Sequence, residues 1–132
     1  MSITVILNGY RRPKNLPLQI EAIRNQTVQP DQIWLWVNHH EDFYEEPFNY
    51  DVDRVVKNDY NWKYFGRFSL AMLAQTEFVA LFDDDTIPGD KWFENCLETY
   101  NEEESIIGGV GLQLNSKEYY MDHERFGWPS HN

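Results

Sequence analysis

Apolar residues come in short unbroken runs along this chain, separated by polar, turn-forming segments. Ile3 to Leu7 (ITVIL) is one such run, stopped by Asn8-Gly9. Continuous apolar character without alternation predicts a strand buried on both faces of a parallel sheet. Asn15 is placed to cap the next helix, with Pro17 tolerated in its first turn. Leu16, Ile20 and Ile23 then repeat at i, i+4 and i+7, which is one apolar stripe. "TVQPDQ" breaks that helix, and Ile33 to Val37 (IWLWV) predicts a second buried strand. "NHHEDFYEEPFNYD" follows as a polar, aromatic, proline-containing loop.

Arg54 to Val56 predicts a short third strand. Phe65, Phe68 and Met72, with Ala71 and Ala74, predict a helix. Phe78 to Phe82 (FVALF) predicts a fourth strand. Asp90 is placed to cap a helix carrying Phe93, Leu97 and Tyr100, and Ile106 to Leu114 (IIGGVGLQL) predicts a fifth strand kinked by glycines. Strands alternating with helices predict an α/β fold with a mostly parallel sheet flanked by helices.

Composition narrows the function classes. The 132 residues suffice for one domain with a real core, at 42% apolar and 16% aromatic residues. Twenty-two acidic residues against eleven basic ones give a net charge of −11, which disfavours nucleic acid as a partner. Arg11-Arg12, and Lys63 with Arg67, are local basic spots able to hold a small anion. The single Cys96 excludes an intrachain disulfide and sits at helical spacing among Phe93, Leu97 and Tyr100, as core filler does. The start "MSITVILNGYRR" is not a signal peptide, and no run is long enough for a transmembrane segment. The expectation is a soluble, cytoplasmic protein.

Against this acidic background, "FDDDTIPGD" places Asp83, Asp84 and Asp85 directly after the fourth apolar run. Adjacent carboxylates repel one another. An acidic turn is the bland reading, since Asp is common in turns. Position favours a site, because open α/β sheets bind ligands at the carboxyl ends of their strands. Two carboxylates one residue apart, Asp83 and Asp85, can reach one hard cation, Mg²⁺ or Mn²⁺, with positions left for water and phosphate oxygens. Polar groups recur after the other strands: Asn8, Tyr10, Arg11 and Arg12 after the first, Asn38 and His39 after the second, and Lys57, Asn58 and Asp59 after the third. Such groups can cover a base, read its edge or bridge phosphate oxygens. His39 and His40 are adjacent and make no zinc pair, and His123 and His131 match no ligand spacing. "GGVG" at 108–111 lacks the spacing of a phosphate loop. Trp62, Tyr64, Tyr119, Tyr120 and Trp128 could stack on sugar rings or pack at the rim.

In this order the segments resemble a glycosyltransferase of family 2 with the GT-A, Rossmann-like nucleotide-binding architecture. "ITVILNGYRRPKNLPLQIEAIRNQT" resembles the family's first strand, nucleotide-contacting loop and first helix, ending in the Gln-Thr pair. "IWLWVNHHED" resembles its second strand, with Asn38 where the family usually has Asp. "GRFSLAMLAQTEFVALFDDD" resembles the arginine-bearing helix leading into the strand with the DXD motif, and "GDKWFENCLETY" the helix after it.

The resemblance implies transfer of a sugar from a nucleotide-diphosphate donor to a glycan or other acceptor hydroxyl. It implies Asp83 and Asp85 as the outer aspartates of DXD, with Asp85 on an Mn²⁺ or Mg²⁺ ion and Asp84 near the ribose or sugar. Asn8, Tyr10, Arg12, Asn38, His39, Asn58 and Arg67 would line the nucleotide-sugar site. The family's catalytic base usually lies in the later half of the domain. Here "YYMDHERF" offers Asp122 and Glu124, with His123 between them, so residues 1–132 are expected to form a single donor-binding domain, as a fragment or minimal form lacking much of the acceptor half. The alternatives are a haloacid-dehalogenase-like phosphatase, a sugar nucleotidyltransferase, and a non-catalytic nucleotide- or carbohydrate-binding domain.

Overall fold

The computed structural model describes residues 1–40 and 49–127. Part of the predicted loop after the second strand, together with Trp128 and His131, lies outside them. The chain forms two compact units, Met1–Glu94 and Asn95–Asn132.

The first unit is built on a four-stranded parallel sheet. Its strands are β1 (Ile3–Gly9), β2 (Gln32–Val37), β3 (Arg54–Lys57) and β4 (Phe78–Phe82), in the order β3-β2-β1-β4. Helix α1 (Leu16–Arg24) joins β1 to β2, and α2 (Phe65–Ala71) precedes β4. The chain steps outward from β1 to β2 to β3, then returns to β1's other side as β4. This reversal of strand order makes the carboxyl ends of β1 and β4 a topological switch point, where such sheets open a crevice. Among the described residues β4 pairs only with β1 and is an edge strand of this sheet.

The sheet is apolar on both faces, as the unbroken runs require. Val5, Ile6, Leu7, Ile33 and Leu35 have no exposed surface. On one face Ile6, Trp34, Trp36 and Leu70 form a cluster, with Val56, Ala71 and Leu81 against it. Acidic residues outside the ladder close the strand starts: Asp31 Oδ2 accepts from Ile3 N at 2.7 Å, and Asp53 Oδ2 from Ile33 N at 2.7 Å. Among the described residues no helix is long and apolar enough to cross a membrane.

Three local expectations are corrected. Asn15 occupies the position before α1 but makes no side-chain cap; its Nδ2 donates instead to Asp84 O at 2.9 Å. The stripe Phe65, Phe68 and Met72 is not the packed face of α2, since those residues are 73%, 55% and 84% exposed. Gly66, Arg67 and Leu70 are buried instead. A Cβ on Gly66 would lie 2.0 Å from Trp36 Cζ2, so glycine lets this helix lie directly on the indole. The fifth strand is shorter than expected and outside the parallel sheet. β5 (Val110–Leu114) pairs antiparallel with a strand the sequence did not suggest, β6 (His123–Gly127).

That hairpin belongs to the second unit. Its connection is pinned by Asn115 N donating to Asp122 O at 2.9 Å and by Asn115 Nδ2 donating to Asp122 Oδ1 at 3.1 Å. Helix α3 (Trp92–Glu102) carries the chain from the first unit into the second.

Candidate functional site

The three aspartates separate because a strand alternates its side chains. Leu81 packs on the Trp34–Trp36 face, and Phe82 turns to the other, 6.1 Å from the Phe93 ring. The alternation carries past the end of β4. Asp83 returns to the α2 face, where Arg67 Nη1 donates to its Oδ1. Asp84 faces the loop after β1, where its Oδ2 accepts from Arg11 N at 3.0 Å and its Oδ1 from Arg12 Nη1 at 2.7 Å. Asp85 lies on the turn, 3.4 Å from the same Arg12 Nη1, with its side chain 57% exposed.

Two arginines therefore relieve the like-charge crowding that three successive carboxylates create. They do so unequally. Asp84 is only 7% exposed and ties the loop after β1 to the end of β4. Arg67 is also 7% exposed, with its guanidinium 5.5 Å from the Tyr64 ring and 5.8 Å from that of Phe68. A cation so placed needs a compensating charge, which Asp83 supplies. Asp83 and Asp85 both keep exposed side chains, 53% and 57%, but Asp83 is held by Arg67 while Asp85 has only the longer contact to Arg12.

The aspartate turn is held from below by two buried amides on the first helix and just after it. Gln19 Nε2 donates to Asp83 O at 2.6 Å and Thr86 O at 2.7 Å. Gln26 Nε2 donates to Gly89 O at 2.6 Å, while its Oε1 accepts from Phe93 N at 3.2 Å in the first turn of α3. Thr27 completes the set, with its N donating to Asp90 O at 2.8 Å and its Oγ1 to Glu94 Oε2 at 3.1 Å. The Gln-Thr pair thus fixes where α3 begins. Gln19 and Gln26 were missed as site residues. Their signal was available: both are polar residues in line with the apolar stripe Leu16–Ile20–Ile23.

Arg11, Arg12, Pro13, Lys14 and Asn15 line a cavity of about 310 Å³ beside the turn. Three cationic residues line it in a strongly acidic chain, which favours an anionic ligand. Among the remaining predicted residues, Asn8 lies one residue before the end of β1, with a buried Oδ1 that has no partner. Tyr10 packs edge-on against His40, ring centroids 5.1 Å apart, and His39 is exposed. Asn38 and Asn58 are spent within the protein. Asn58 Nδ2 donates to Val37 O at 2.9 Å, and Asn38 bonds the segment after β3. Asp122 and Glu124 are exposed in the second unit, on and beside β6.

Burial pushes the Cys96 thiol above its ordinary pKa, which suits a packing residue and not a nucleophile.

Among the described residues no three His, Cys, Asp or Glu side chains converge as a ready metal cage. A hard cation can nevertheless be held by one or two carboxylates when substrate phosphates complete its shell. Asp85 fits that role, being a hard oxygen donor that is exposed beside the basic cavity. Asp83 fits it less well, because its Oδ1 is engaged by Arg67.

A model of the family described as Glycosyl transferase family 2 matches residues 4–131. Members of this family often use divalent metals. No curated protein matches the chain. The match covers both the parallel sheet with its aspartate turn and the antiparallel pair beyond it, so the chain belongs to glycosyl transferase family 2.

Proposed function

We propose that the switch point between β1 and β4 binds a nucleotide-diphosphate sugar and that the chain acts in sugar transfer from it to an acceptor hydroxyl. The observation that supports this most is the meeting of the basic loop 11–14 with Asp84 and Asp85 at the ends of those strands. Cationic side chains beside the exposed Asp85 carboxylate suit a diphosphate bridged by a divalent ion, whereas either group alone would repel one of the two.

In this reading each residue has a separate task. Arg12, fixed by Asp84, holds positive charge where the diphosphate would lie. Asp85 would hold Mg²⁺ or Mn²⁺, which when bound supplies further positive charge to the departing diphosphate. Arg67 keeps Asp83 oriented from the α2 side. Asn8, Tyr10 and His39 are the groups offered to the nucleoside, while Asn38 and Asn58 shape its surroundings. Asp122 and Glu124 stand as candidates for the base that takes the acceptor's proton.

The test is calorimetry of UDP, GDP and ADP with Mn²⁺ and with EDTA, followed by Mn²⁺-dependent hydrolysis or transfer assays with the corresponding nucleotide sugars. Binding that appears with Mn²⁺ and disappears with EDTA supports the reading. No binding of any nucleoside diphosphate, or equal affinity under both conditions, overturns it.

A further inference from the structure

The segment after β3 carries a chain of hydrogen bonds whose direction is set by backbone donors. Trp62 N can only donate, and it does so to Asn38 Oδ1 at 2.9 Å. That leaves Asn38 Nδ2 to donate to Asn61 Oδ1 at 2.7 Å. Lys63 N also donates to Asn61 Oδ1, at 2.8 Å, which fixes the second amide in the same sense. Asn61 Nδ2 is then directed at the Tyr10 hydroxyl, 3.1 Å away. An amide N–H is a donor only, so the phenolic oxygen accepts and its own proton turns elsewhere. No acceptor for that proton is found among the described residues.

We infer that Asn61 is a positioning residue of the donor site: it ties the loops after β1, β2 and β3 together and leaves Tyr10 as a hydrogen-bond donor to an oxygen of the nucleotide. This rests on the donor-site reading above. Two further features belong to it. Lys63 adopts φ 53°, the left-handed region that non-glycine residues enter at a cost, and Asn61 holds the backbone amide of that residue. Asn38 is 2% exposed with both polar atoms used, so it acts on a ligand through Asn61 and Tyr10 and not by contact.

The experiment compares wild type, Asn61→Asp, Asn61→Ala, Tyr10→Phe and Asn61→Asp with Tyr10→Phe, all in the full chain. Amide exchange at Lys63 is measured by NMR without nucleotide, and UDP, GDP and pyrophosphate are titrated with Mn²⁺ by calorimetry. Asn61→Asp still accepts from Asn38 and Lys63 but faces Tyr10 with an acceptor, so the phenolic proton turns inward. Lys63 exchange should stay slow in that variant while nucleotide affinity falls about tenfold, the scale of one hydrogen bond. The added charge acts in either background, so the fall must be smaller when Tyr10 is already Phe. Asn61→Ala should speed Lys63 exchange and also weaken binding. Weakened pyrophosphate binding would place the oxygen on the diphosphate; weakening for nucleotides alone would place it on the base or ribose. An equal effect of Asn61→Asp in both backgrounds, or unchanged Lys63 exchange in Asn61→Ala, overturns the assignment. If Asn61→Ala frees the Lys63 amide but wild type binds no nucleotide, the clamp stands and the donor-site reading falls.

Discussion

Gln19 and Asp83 are joined through the backbone: the buried amide of one donates to the carbonyl of the other at 2.6 Å, and the same nitrogen reaches Thr86 O at 2.7 Å. One side chain on α1 thus sets the curvature of the turn that presents the aspartates. Gln19→Leu keeps the volume near that of the amide but leaves two carbonyls without their donor. Each unpaired buried group costs about 1–3 kcal/mol, so stability should fall by about 2–6 kcal/mol in total. Urea unfolding with an unchanged m-value is the measurement. A loss below about 0.5 kcal/mol would mean that water replaces the amide.

Asp84 and Asp85 should respond oppositely to substitution. Asp84→Ala removes the buried acceptor of Arg11 N and Arg12 Nη1 and should cost about 2–3 kcal/mol of stability. Asp85→Ala should change stability by less than about 0.5 kcal/mol, as exposed positions do, yet abolish Mn²⁺-dependent nucleotide binding. Paired melting and calorimetry decide this. Retained binding in Asp85→Ala would remove Asp85 from the cation site.

Arg67 both packs and pairs, and the two tasks can be separated. Arg67→Ala should lower stability by about 1–2 kcal/mol through lost packing and weaken nucleotide binding about tenfold or more, because it removes a cation and leaves Asp83 as uncompensated negative charge beside the anion site. Arg67→Met keeps an unbranched apolar side chain at this buried position but has no charge. It should recover most of the melting temperature and none of the affinity. Recovery of both would show that Arg67 serves only as packing.

Gly66→Ala should destabilise the first unit by about 3 kcal/mol, since the added methyl would overlap the Trp36 ring and a packed core yields little. Trp36 Nε1 is buried without a partner, so Trp36→Phe forfeits no hydrogen bond and opens space. The cost of Gly66→Ala should therefore shrink by more than about 1 kcal/mol in the Trp36→Phe background. Additive effects would mean that the helix moves away from the ring instead.

What could be read from the amino acids follows from what periodicity reports. β1 and β2 were visible because strands buried on both faces must be continuously apolar; β4 carries the same kind of run although it is a half-buried edge strand with Val79 exposed, and the aspartates were placed by it. The packed face of α2 was misread because a stripe of large apolar residues looks like a core, whereas here the closest contact is made by the smallest residue, Gly66. β6 escaped because His123-Glu124-Arg125 carries no apolar alternation; its pairing with β5 is a backbone matter. Asn61 escaped because its role depends on three segments meeting, which spacing along one segment does not record. The three aspartates differ in their contacts, which adjacency in the sequence does not record.

The strand order has a kinetic consequence. Both edges of β1, the earliest strand in chain order, are paired, yet β1 finds its last neighbour only when Phe78–Phe82 has been made, as the Ile3–Phe78 pairing shows. A chain emerging from the ribosome can form β1 with β2 first, but the other edge of β1, with its backbone N–H and C=O groups unpaired, must then wait through the whole of β3 and α2. Such distant pairing is slow and leaves that edge open to intruding strands. The Asp83–Asp85 turn is assembled at the close of this wait, so donor binding during synthesis would report completion of the sheet, and slowing translation between residues 58 and 77 should lengthen the period in which the nascent protein is prone to aggregate.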